Sequence, residues 1–358
     1  MGRKLLGLVV TAVLTACQTV GPRSLRHGRG SYNAAIQQTN SEQLLLNLVR
    51  LRYRDAPLFL EVTSVSSSLS MEVGGAVGGA VTPGTGGTVS PGTSVTYIDR
   101  PTITYVPLQG SRFGKQFLSP IELADIQLLY HAGWAIDRIF KVFVQKLGPL
   151  QNAPRASGPT PDHAPEYAAF FAATDALRAL WQEGLVEMEY VSSVAGAALR
   201  LRIDPTPAAM PHLEKLSRLL GLRAPASQIV LTETPRPGEE NAVRVVMRSL
   251  LGGMYYVSHG VEVPPDDVAL GRVPLTRDRD GQPFEWSRIT GRLLRVRYAR
   301  REPTSAYVSV YHRGMWFYID DNDLDSKATF SFLAQVLELQ SGEIKAAGPV
   351  LTLPVGAQ

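Results

Sequence analysis

Residues 64–81 read SVSSSLSMEVGGAVGGAV, and this stretch decides what the N-terminal half of the chain can form. The even positions hold only serine, glycine, alanine and one glutamate, Glu72. The large apolar residues stand at odd positions only, at Val65, Leu69, Met71, Val73, Val77 and Val81. Because strand side chains alternate between two faces, this period of two predicts a strand with one apolar face.

A helix is the alternative interpretation of the same residues. Apolar residues also recur every four positions, and Gly74 and Gly78 have the Gly-x-x-x-Gly spacing of packed membrane helices. Each glycine, however, costs about 1 kcal/mol in a helix interior. The stretch also contains Glu72 and is shorter than the roughly 20 apolar residues of a membrane-spanning helix. We therefore predict the strand.

A second strand is predicted to return antiparallel to the first. Thr82–Thr88 has the glycines and proline of a turn, and Val89–Tyr105 again carries most of its apolar residues at odd positions. We expect a long projecting β-hairpin over about residues 60–108, with roughly 17 residues a side. Such a hairpin is not stable alone, so it must contact protein or lipid. The residues expected at that contact are Val73, Val77, Val81, Val89, Val95 and Tyr97.

The first seventeen residues predict the compartment. Arg3 and Lys4 precede the apolar run Leu5–Val13, a pattern typical of a secretory signal peptide. Leu14-Thr15-Ala16-Cys17 resembles a bacterial lipobox, in which the cysteine is acylated and becomes the new N-terminus. Cys17 is the only cysteine, so the chain forms no internal disulfide. We expect a signal peptide over 1–16 and a lipidated tether over 17–30, with diacylglycerol and palmitate-type acyl lipid on Cys17.

The residue after the lipobox cysteine bears on which membrane holds the protein. In the proteins that the lipobox resembles, an Asp at this position retains the lipoprotein in the inner membrane. Gln18 stands there instead, which implies the periplasmic leaflet of the outer membrane. The formal charge is +4, of which the signal-peptide residues Arg3 and Lys4 supply two. A nearly neutral mature chain is not a nucleic-acid binder by charge.

Residues 31–149 are predicted to be helical outside the hairpin. Thr39 and Glu42 form a capping box that is expected to start the helix EQLLLNLVRLRYRD. The arginines at the end of that helix, at positions 50, 52 and 54, are interpreted as solvated partners of its dipole. Ser119–Glu122 predicts the start of a second helix, and Trp134–Leu147 has the apolar stripe of a third.

The proline-rich segment 150–165 predicts a linker, followed by a mixed domain over 166–358. The predicted helices of that domain are Glu166–Gly184, Ala208–Leu222, a short helix through Ser258, and a final helix capped by Asp325 that ends at Gly342. The predicted strands are Val186–Val191, Ala198–Ile203, Gln228–Glu233, Val243–Met247, Leu293–Tyr298, a hairpin around Arg313-Gly314, and Val350–Pro354. The expected fold class is therefore α+β, with a mixed antiparallel-sheet and helix domain at the C-terminus.

Three segments carry a resemblance to a known group. EQLLLNLVRLRYRD, SGPTPDHAPEY and WFYIDDNDLDSKATF, together with the lipobox, resemble segments of an uncharacterised group of proteobacterial outer-membrane lipoproteins. The resemblance touches both halves of the mature chain. It implies the outer-membrane location and implies no activity.

The sequence contains no convincing motif for catalysis or metal binding. Asp321, Asp323 and Asp325 alternate as in a calcium loop, but Ser326 stands where an EF-hand needs glycine and Phe332 where it needs a bidentate Glu. The favoured interpretation is an acidic turn that caps the final helix. Glu187 and Glu189 share one face of a predicted strand with apolar residues opposite, which indicates a solvated sheet face. We predict no catalytic residue, no metal and no cofactor.

These observations lead to a ranked set of functions. The first hypothesis is an outer-membrane-anchored periplasmic lipoprotein that acts as a non-enzymatic scaffold or accessory of an envelope or transport assembly, through a protein partner or as a homo-oligomer. The second is an oligomeric outer-membrane pore in which each chain contributes one hairpin, because a transmembrane strand needs only about 9–11 residues. An envelope hydrolase is the third, since catalytic residues assemble from distant positions.

Overall fold

A computed structural model gives the fold of the protein. It describes residues 30–80, 88–108, 111–159, 163–193 and 196–342. These residues form two compact units, one of residues 30–57 with the described part of 111–342, and one of residues 58–108 without 81–87. Helices and mixed sheets are both present, and the predicted α+β class with a C-terminal sheet-and-helix domain is confirmed.

The smaller unit is a two-stranded ribbon. β1 spans Leu60–Ala80 and β2 spans Thr88–Pro107, and the two strands pair antiparallel. Among the described residues the sheet has no third strand. The predicted antiparallel pairing is thus observed, with longer strands than expected. The turn predicted between them lies outside the described residues.

A β-bulge near the base of the ribbon changes the register. From Ser64 onwards the odd positions of β1 lie opposite odd positions of β2. The bulge between Val62 and Ser64 inserts one extra residue, so Leu60 and Val62 lie opposite odd positions although they are even. A simple period of two across residues 60–80 did not predict this change.

The first helix, α1, is longer than predicted and covers residues 30–52. Thr39 is therefore not a cap but an interior residue, and its hydroxyl donates to the carbonyls of Ala35 and Ile36 at 2.9 and 3.0 Å. Serine and threonine make such bonds to preceding carbonyls inside helices. The predicted capping box at Thr39 and Glu42 is therefore wrong, because both residues lie within α1. The predicted apolar stripe is confirmed, since its members are buried: Leu44, Leu45, Leu48, Val49 and Leu51.

The helix start predicted at Ser119 is also misplaced. α2 spans Ser111–Leu118, and α3 spans Leu123–His131. Ser119 follows the last residue of α2, and its hydroxyl donates to the carbonyl of Lys115 in the last turn of that helix at 2.7 Å. The Ser-Pro pair that resembles a helix start therefore lies in the connection between two helices.

The helix predicted over Trp134–Leu147 is divided between a helix and a strand. α4 spans Ile136–Phe143, and the chain continues directly as β3, Val144–Leu147. The side-chain amide of Asn152 donates to the carbonyls of Lys141 and Val144 at 2.9 and 2.6 Å, where the helix ends. Pairing of β3 in a sheet then replaces the helical hydrogen bonds.

A six-stranded sheet lies at the centre of the larger unit, in the order β4-β3-β8-β7-β6-β5. Its strands are β3, β4 at Leu150–Gln151, β5 at Val186–Ser193, β6 at Gly196–Ile203, β7 at Gln228–Thr232 and β8 at Ala242–Met247. All neighbouring pairs are antiparallel except β7 and β8. The strands predicted from residue 186 to residue 247 are confirmed.

Helices α5, Ala168–Gln182, and α6, Met210–Leu220, confirm two further predictions and pack against each other. The described part of the segment 150–165 does not separate two units. Its first two residues form β4, a short 3-10 helix spans Pro154–Ser157, and Asn152 and Ala153 are fully buried. Buried backbone needs hydrogen-bond partners inside the protein, and the backbone N–H groups of Asn152 and Ala153 donate to the carbonyls of Gln145 and Glu166 at 3.0 and 2.9 Å, so this part of the segment is not a solvated linker.

The remaining helices precede and follow a three-stranded sheet of order β10-β11-β9. The helices are α7 at Leu250–Ser258, α8 at Pro265–Ala269, α9 at Ser287–Thr290 and α10 at Leu324–Gly342, and the strands are β9 at Arg297–Ala299, β10 at Ala306–His312 and β11 at Met315–Asp320. Arg313 and Gly314 both have positive φ, at 50° and 85°, as a two-residue type I′ hairpin turn requires. The predicted hairpin is confirmed.

Two predictions in this region are wrong in detail. The strand predicted from Leu293 begins at Arg297, because residues 293 and 294 form turn hydrogen bonds to the carbonyl of Thr290. The cap of α10 is Asp323 rather than Asp325, since Asp323 accepts from the backbone N–H of Ser326 at 3.1 Å. The strand predicted at 350–354 lies outside the described residues. Within them, no helix combines the length and the apolar content that crossing a membrane requires.

Candidate functional site

The residues predicted to contact membrane or partner lie in the ribbon, with two exceptions. Cys17 and Val81 are outside the described residues. Val73 lies directly opposite Val95, whereas Val77 lies opposite Pro91. Val89 lies opposite Gly79, and Tyr97 lies opposite Met71. Every described member of this group thus has an odd residue number and lies opposite another odd-numbered residue of the partner strand.

The base of the ribbon carries a group of exposed apolar side chains. Four of them lie on one face of the ribbon, Leu58, Leu60, Ile103 and Tyr105, and Val106 lies on the other face. The side chain of Tyr105 is the most exposed of them, at 52%. Large apolar side chains grouped at a surface mark sites of interaction more often than single ones do. The sequence did not predict a contact here; it predicted one only at residues 73–97 of the hairpin.

The acidic turn before α10 does not gather its carboxylates. Asp321 pairs with Lys327 at 2.6 Å, and Asp325 pairs with Arg138 at 3.1 Å. Asp323 accepts from both the backbone N–H and the hydroxyl of Ser326. Each carboxylate thus has a separate structural partner. Within the described residues, no group of three or more His, Cys, Asp or Glu side chains is placed to hold a metal ion.

The glutamates of β5 lie on the solvated face of the six-stranded sheet, as predicted. Glu187 and Glu189 are exposed, whereas Val186 and Met188, which alternate with them, are buried. Glu189 also pairs across the strands with Arg200, at 3.0 Å. Both glutamates thus lie on a solvated sheet face, and one of them forms a cross-strand ion pair.

A buried polar cluster that the sequence did not indicate lies where α1 ends. The hydroxyl of Tyr53 donates to Oδ2 of Asp267 on α8 at 2.7 Å, and Arg272 donates to Oδ1 of the same carboxylate at 2.8 Å. Arg313, in the β10–β11 turn, places its guanidinium 5.0 Å from the ring centre of Tyr53 and binds Asp55 at 3.1 Å. Tyr53 thus connects the end of α1 with α8 and with the β10–β11 turn.

The ionisation of this pair follows from its surroundings. Burial and the hydrogen bond to Asp267 raise the pKa of the Tyr53 phenol, so it remains a proton donor at neutral pH. Burial alone would raise the pKa of Asp267, but the hydrogen bonds from Tyr53 and Arg272 and the charges of Arg272 and Arg313 lower it overall. Asp267 is therefore a carboxylate whose two oxygens are already engaged.

Arg52 and His259 extend the cluster into the protein interior. Arg52 is only 9% exposed, and its guanidinium donates to the carbonyl of Pro274 at 3.2 Å while Nε has no partner among the described residues. His259 follows α7, is 7% exposed, and stacks on Trp286 with ring centres 3.8 Å apart. Neither ring nitrogen of His259 has a hydrogen-bond partner in the described part of the chain.

The charge of Arg52 bears on the ionisation of His259. Burial, followed by the nearby charge of Arg52, lowers the pKa of His259 well below its ordinary value, so the ring is neutral at pH 7. Burial lowers the pKa of Arg52 to about 10, which still leaves it charged. The interpretation of Arg52 as a solvated residue at the end of a helix is therefore wrong, since the loop at Pro274 covers it.

The chemistry of this cluster is limited by its geometry. A general base needs a nucleophile or another proton donor within hydrogen-bond reach. The nitrogens of His259 have no such neighbour in the described residues, and the carboxylate of Asp267 is engaged with Tyr53 and Arg272. The arrangement therefore holds buried charge and does not bring a nucleophile, a base and an orienting group together.

A second buried arginine, Arg248, lies directly after β8. Its guanidinium donates to the hydroxyl of Ser157 at 2.8 Å and stacks 4.1 Å from the ring centre of Tyr256. It also donates to the backbone carbonyls of Lys141, Val142, Val144, Asn152 and Ala153. The side chain is 1% exposed, so this cluster belongs to the core.

Nothing in the sequence spacing singles out either arginine, because their partners come from distant segments. Comparisons with known proteins do not supply a function either: no protein-family model, curated protein or solved structure matches the chain.

Proposed function

We propose that the protein is a lipid-anchored scaffold or accessory protein of the outer membrane, which faces the periplasm and binds a protein partner of an envelope or transport assembly through its β-ribbon. The observation that carries this proposal is the ribbon itself, strands of 21 and 20 residues that pair only with each other among the described residues.

The stability of such a ribbon requires a second surface. A two-stranded antiparallel pair is at most marginally stable in water, because it has no third strand or helix on which to bury an apolar face. Ordering about forty residues has a large entropic cost that the ladder hydrogen bonds alone do not offset. The exposed apolar residues at the base, Tyr105 among them, offer part of the contact area. Binding to another protein would stabilise the ribbon.

The anchor is proposed from the sequence at residues 14–17. A diacylglycerol thioether and an acyl chain on Cys17 would give two hydrophobic attachments, and two such attachments hold a protein stably on a membrane where one does not. The nearly neutral mature chain adds no strong electrostatic attraction to lipid. Attachment would therefore depend on Cys17 alone.

The anchor is tested by Cys17→Ser. We expect the wild-type protein to sediment with outer membranes and to incorporate labelled palmitate. The Cys17→Ser protein should lose the label and leave the outer-membrane fraction. Equal labelling of the two proteins would contradict the anchor.

The partner surface is tested by photo-crosslinking in living cells. The photoreactive residue p-benzoylphenylalanine would replace Tyr105 of the ribbon or, as a matched control, Tyr311 of β10, whose side chain is exposed to a similar extent, 52% against 60%. We expect a discrete crosslinked product from position 105 and none from position 311. No product from position 105, or the same product from both, would contradict a role of the ribbon in binding.

A pore remains the second candidate, because strands of this length exceed the roughly 9–11 residues that cross a membrane. Purified lipidated protein would be added to planar bilayers. Discrete conductance steps that disappear when residues 71–95 are deleted would favour the pore over the scaffold.

A further inference from the structure

The two strands of the ribbon differ in their prolines. β2 contains Pro91, Pro101 and Pro107, whereas β1 contains none from Leu60 to Ala80. Proline has no backbone N–H, so it stands in a sheet where no ladder bond needs a donor. The position of each proline therefore indicates which side of β2 is the open edge.

The hydrogen bonds of the ribbon fix the direction independently. Residues of an antiparallel strand point their N–H and C=O groups alternately towards the partner strand and away from it. The N–H of Leu108, just after β2, donates to the carbonyl of Phe59 at 2.9 Å. Even positions of β2 thus face β1, and the odd positions, which include all three prolines, face the outer edge.

The outer edges of the ribbon are consequently unequal. The outer edge of β2 lacks a donor at Pro91 and Pro101, which interrupts any ladder that another strand would form there. The corresponding residues of β1 are the odd positions from Val65 to Gly79, opposite the odd positions of β2. Every one of them has an N–H and a C=O. The outer edge of β1 can therefore form a continuous ladder.

Nothing in the sequence protects that edge. Proteins usually protect long edge strands with lysines, prolines or inward charges. From Ser64 to Ala80 the only charged residue is Glu72, and it stands at an even position, which faces β2 in the ladder. A long, proline-free and nearly uncharged edge is suited to pairing with another strand of the same kind.

We propose that β1 pairs antiparallel with β1 of a second copy of this chain, giving a four-stranded sheet of order β2-β1-β1-β2. This inference rests on the proposed function and names the partner of the ribbon. A two-fold symmetric contact needs only one type of edge, and both copies supply the open one. A ring of copies needs β1 to pair with β2 of its neighbour, and the prolines block that junction. Four strands also reach the size at which a sheet is stable.

The first test changes one backbone donor on each edge. Val73 and Val95 lie directly opposite each other at odd positions, so Val73→Pro removes an outward N–H from β1 and Val95→Pro removes one from β2. The full chain in the Cys17→Ser background would be studied by analytical ultracentrifugation, with circular dichroism to verify that each variant is folded. We expect dimers for the parent and for Val95→Pro, and monomers for Val73→Pro.

The second test restores the missing donors on the other edge. In the double variant Pro91→Val, Pro101→Thr the outer edge of β2 becomes continuous from Val89 to Tyr105, and we expect species larger than the dimer. A folded parent that is monomeric, or a dimer that Val73→Pro and Val95→Pro weaken equally, would overturn the proposal. Rings in the parent whose size the double variant does not change would also overturn it.

The same experiments separate this inference from the proposed function. A monomeric parent that nevertheless crosslinks from position 105 to a different protein would leave the scaffold role intact and reject self-pairing. A dimer that forms in solution without any membrane attachment in cells would support self-pairing and reject the anchored scaffold.

Discussion

Arg248 and Arg52 are both buried arginines that form no ion pair with a carboxylate of the described residues, yet they differ in how many of their donors have an acceptor. Arg248 donates to five backbone carbonyls and a serine hydroxyl, whereas Arg52 donates to one carbonyl and keeps an unpartnered Nε in the described structure. A buried charge stabilises a fold only when its hydrogen bonds replace those it had with water. Burial of the same side chain therefore stabilises the fold around Arg248 and leaves an uncompensated charge at Arg52.

Arg248 is expected to stabilise the fold because it connects several elements. Its carbonyl partners come from the end of α4, from the start of β3 and from the segment before the 3-10 helix. Carbonyls at the end of a helix carry partial negative charge, and a cation there is favourable. Tyr256 covers the guanidinium and donates to Oδ1 of Asn152, which in turn binds two of the same carbonyls. One side chain thus joins helix, strand and loop.

The largest effect is expected from Arg248→Met. The substitution keeps an unbranched side chain of similar length but removes every donor. The buried carbonyls of Val142 and Asn152 then lose their described donor, whereas the other three carbonyls keep a second one. Each unsatisfied buried acceptor costs about 1–3 kcal/mol, and we expect a loss of at least about 3 kcal/mol in the free energy of unfolding, measured by urea denaturation. Arg248→Lys should also destabilise the protein, because an ammonium has three donors and no planar fork. Wild-type stability in either variant would contradict the structural role.

Both arginines owe their burial to distant segments, whereas most of the confirmed helices and strands follow from local sequence patterns. Local periodicity predicted α5, β5 and β6, because each buries one face at a spacing that its own residues reveal. It failed at residues 144–147, which continue an apolar helical stripe but pair with β8, about a hundred residues away. Arg52 looks like its neighbours at 50 and 54, and only the distant loop at Pro274 buries it. Sites built from such distant contacts have no local signature.

A smaller effect is expected from Tyr256→Phe, which tests the Arg248 cluster through a single hydrogen bond. The ring that stacks on the guanidinium remains, but Oδ1 of Asn152 loses its described donor in a fully buried position. We expect a loss of about 1–3 kcal/mol in the free energy of unfolding, by the same denaturation measurement. Tyr255→Phe on the same helix is the matched control, because the Tyr255 hydroxyl has no such bond among the described residues. Equal losses in the two variants would assign the effect to α7 in general.

The pH dependence of stability tests the other region. His259 is buried and neutral, and its pKa in the folded protein is lower than in the unfolded chain, mainly because of burial and then because of Arg52. The unfolded state therefore binds more protons, and the folded state loses stability as the pH falls below the ordinary histidine pKa of about 6.5. We expect the melting temperature to decrease between about pH 7.5 and about pH 5.

His259→Phe isolates the contribution of that ring. Phenylalanine retains an aromatic ring for stacking on Trp286 but does not titrate, so the decrease in melting temperature should become smaller. His312 acts in the same direction, because burial and the charge of Arg313 lower its pKa despite Asp55 nearby, and it should retain part of the slope. A slope that is unchanged in His259→Phe would show that this histidine does not supply the acid sensitivity.

The smallest effect is expected from Arg52→Met, and it is the sharpest contrast with Arg248→Met. The substitution leaves only the carbonyl of Pro274 without its described donor and removes a buried charge that lacks compensation. Replacing a poorly compensated buried charge by an apolar side chain is often neutral or stabilising, so we expect a change within about 1 kcal/mol. The pKa of His259 should rise towards its ordinary value when the nearby charge is lost, which would reduce the acid sensitivity in the same variant. Arg50→Met on the same helix is the control. A loss as large as that of Arg248→Met would mean that Arg52 is compensated in the folded protein, and that the two buried arginines are equivalent after all.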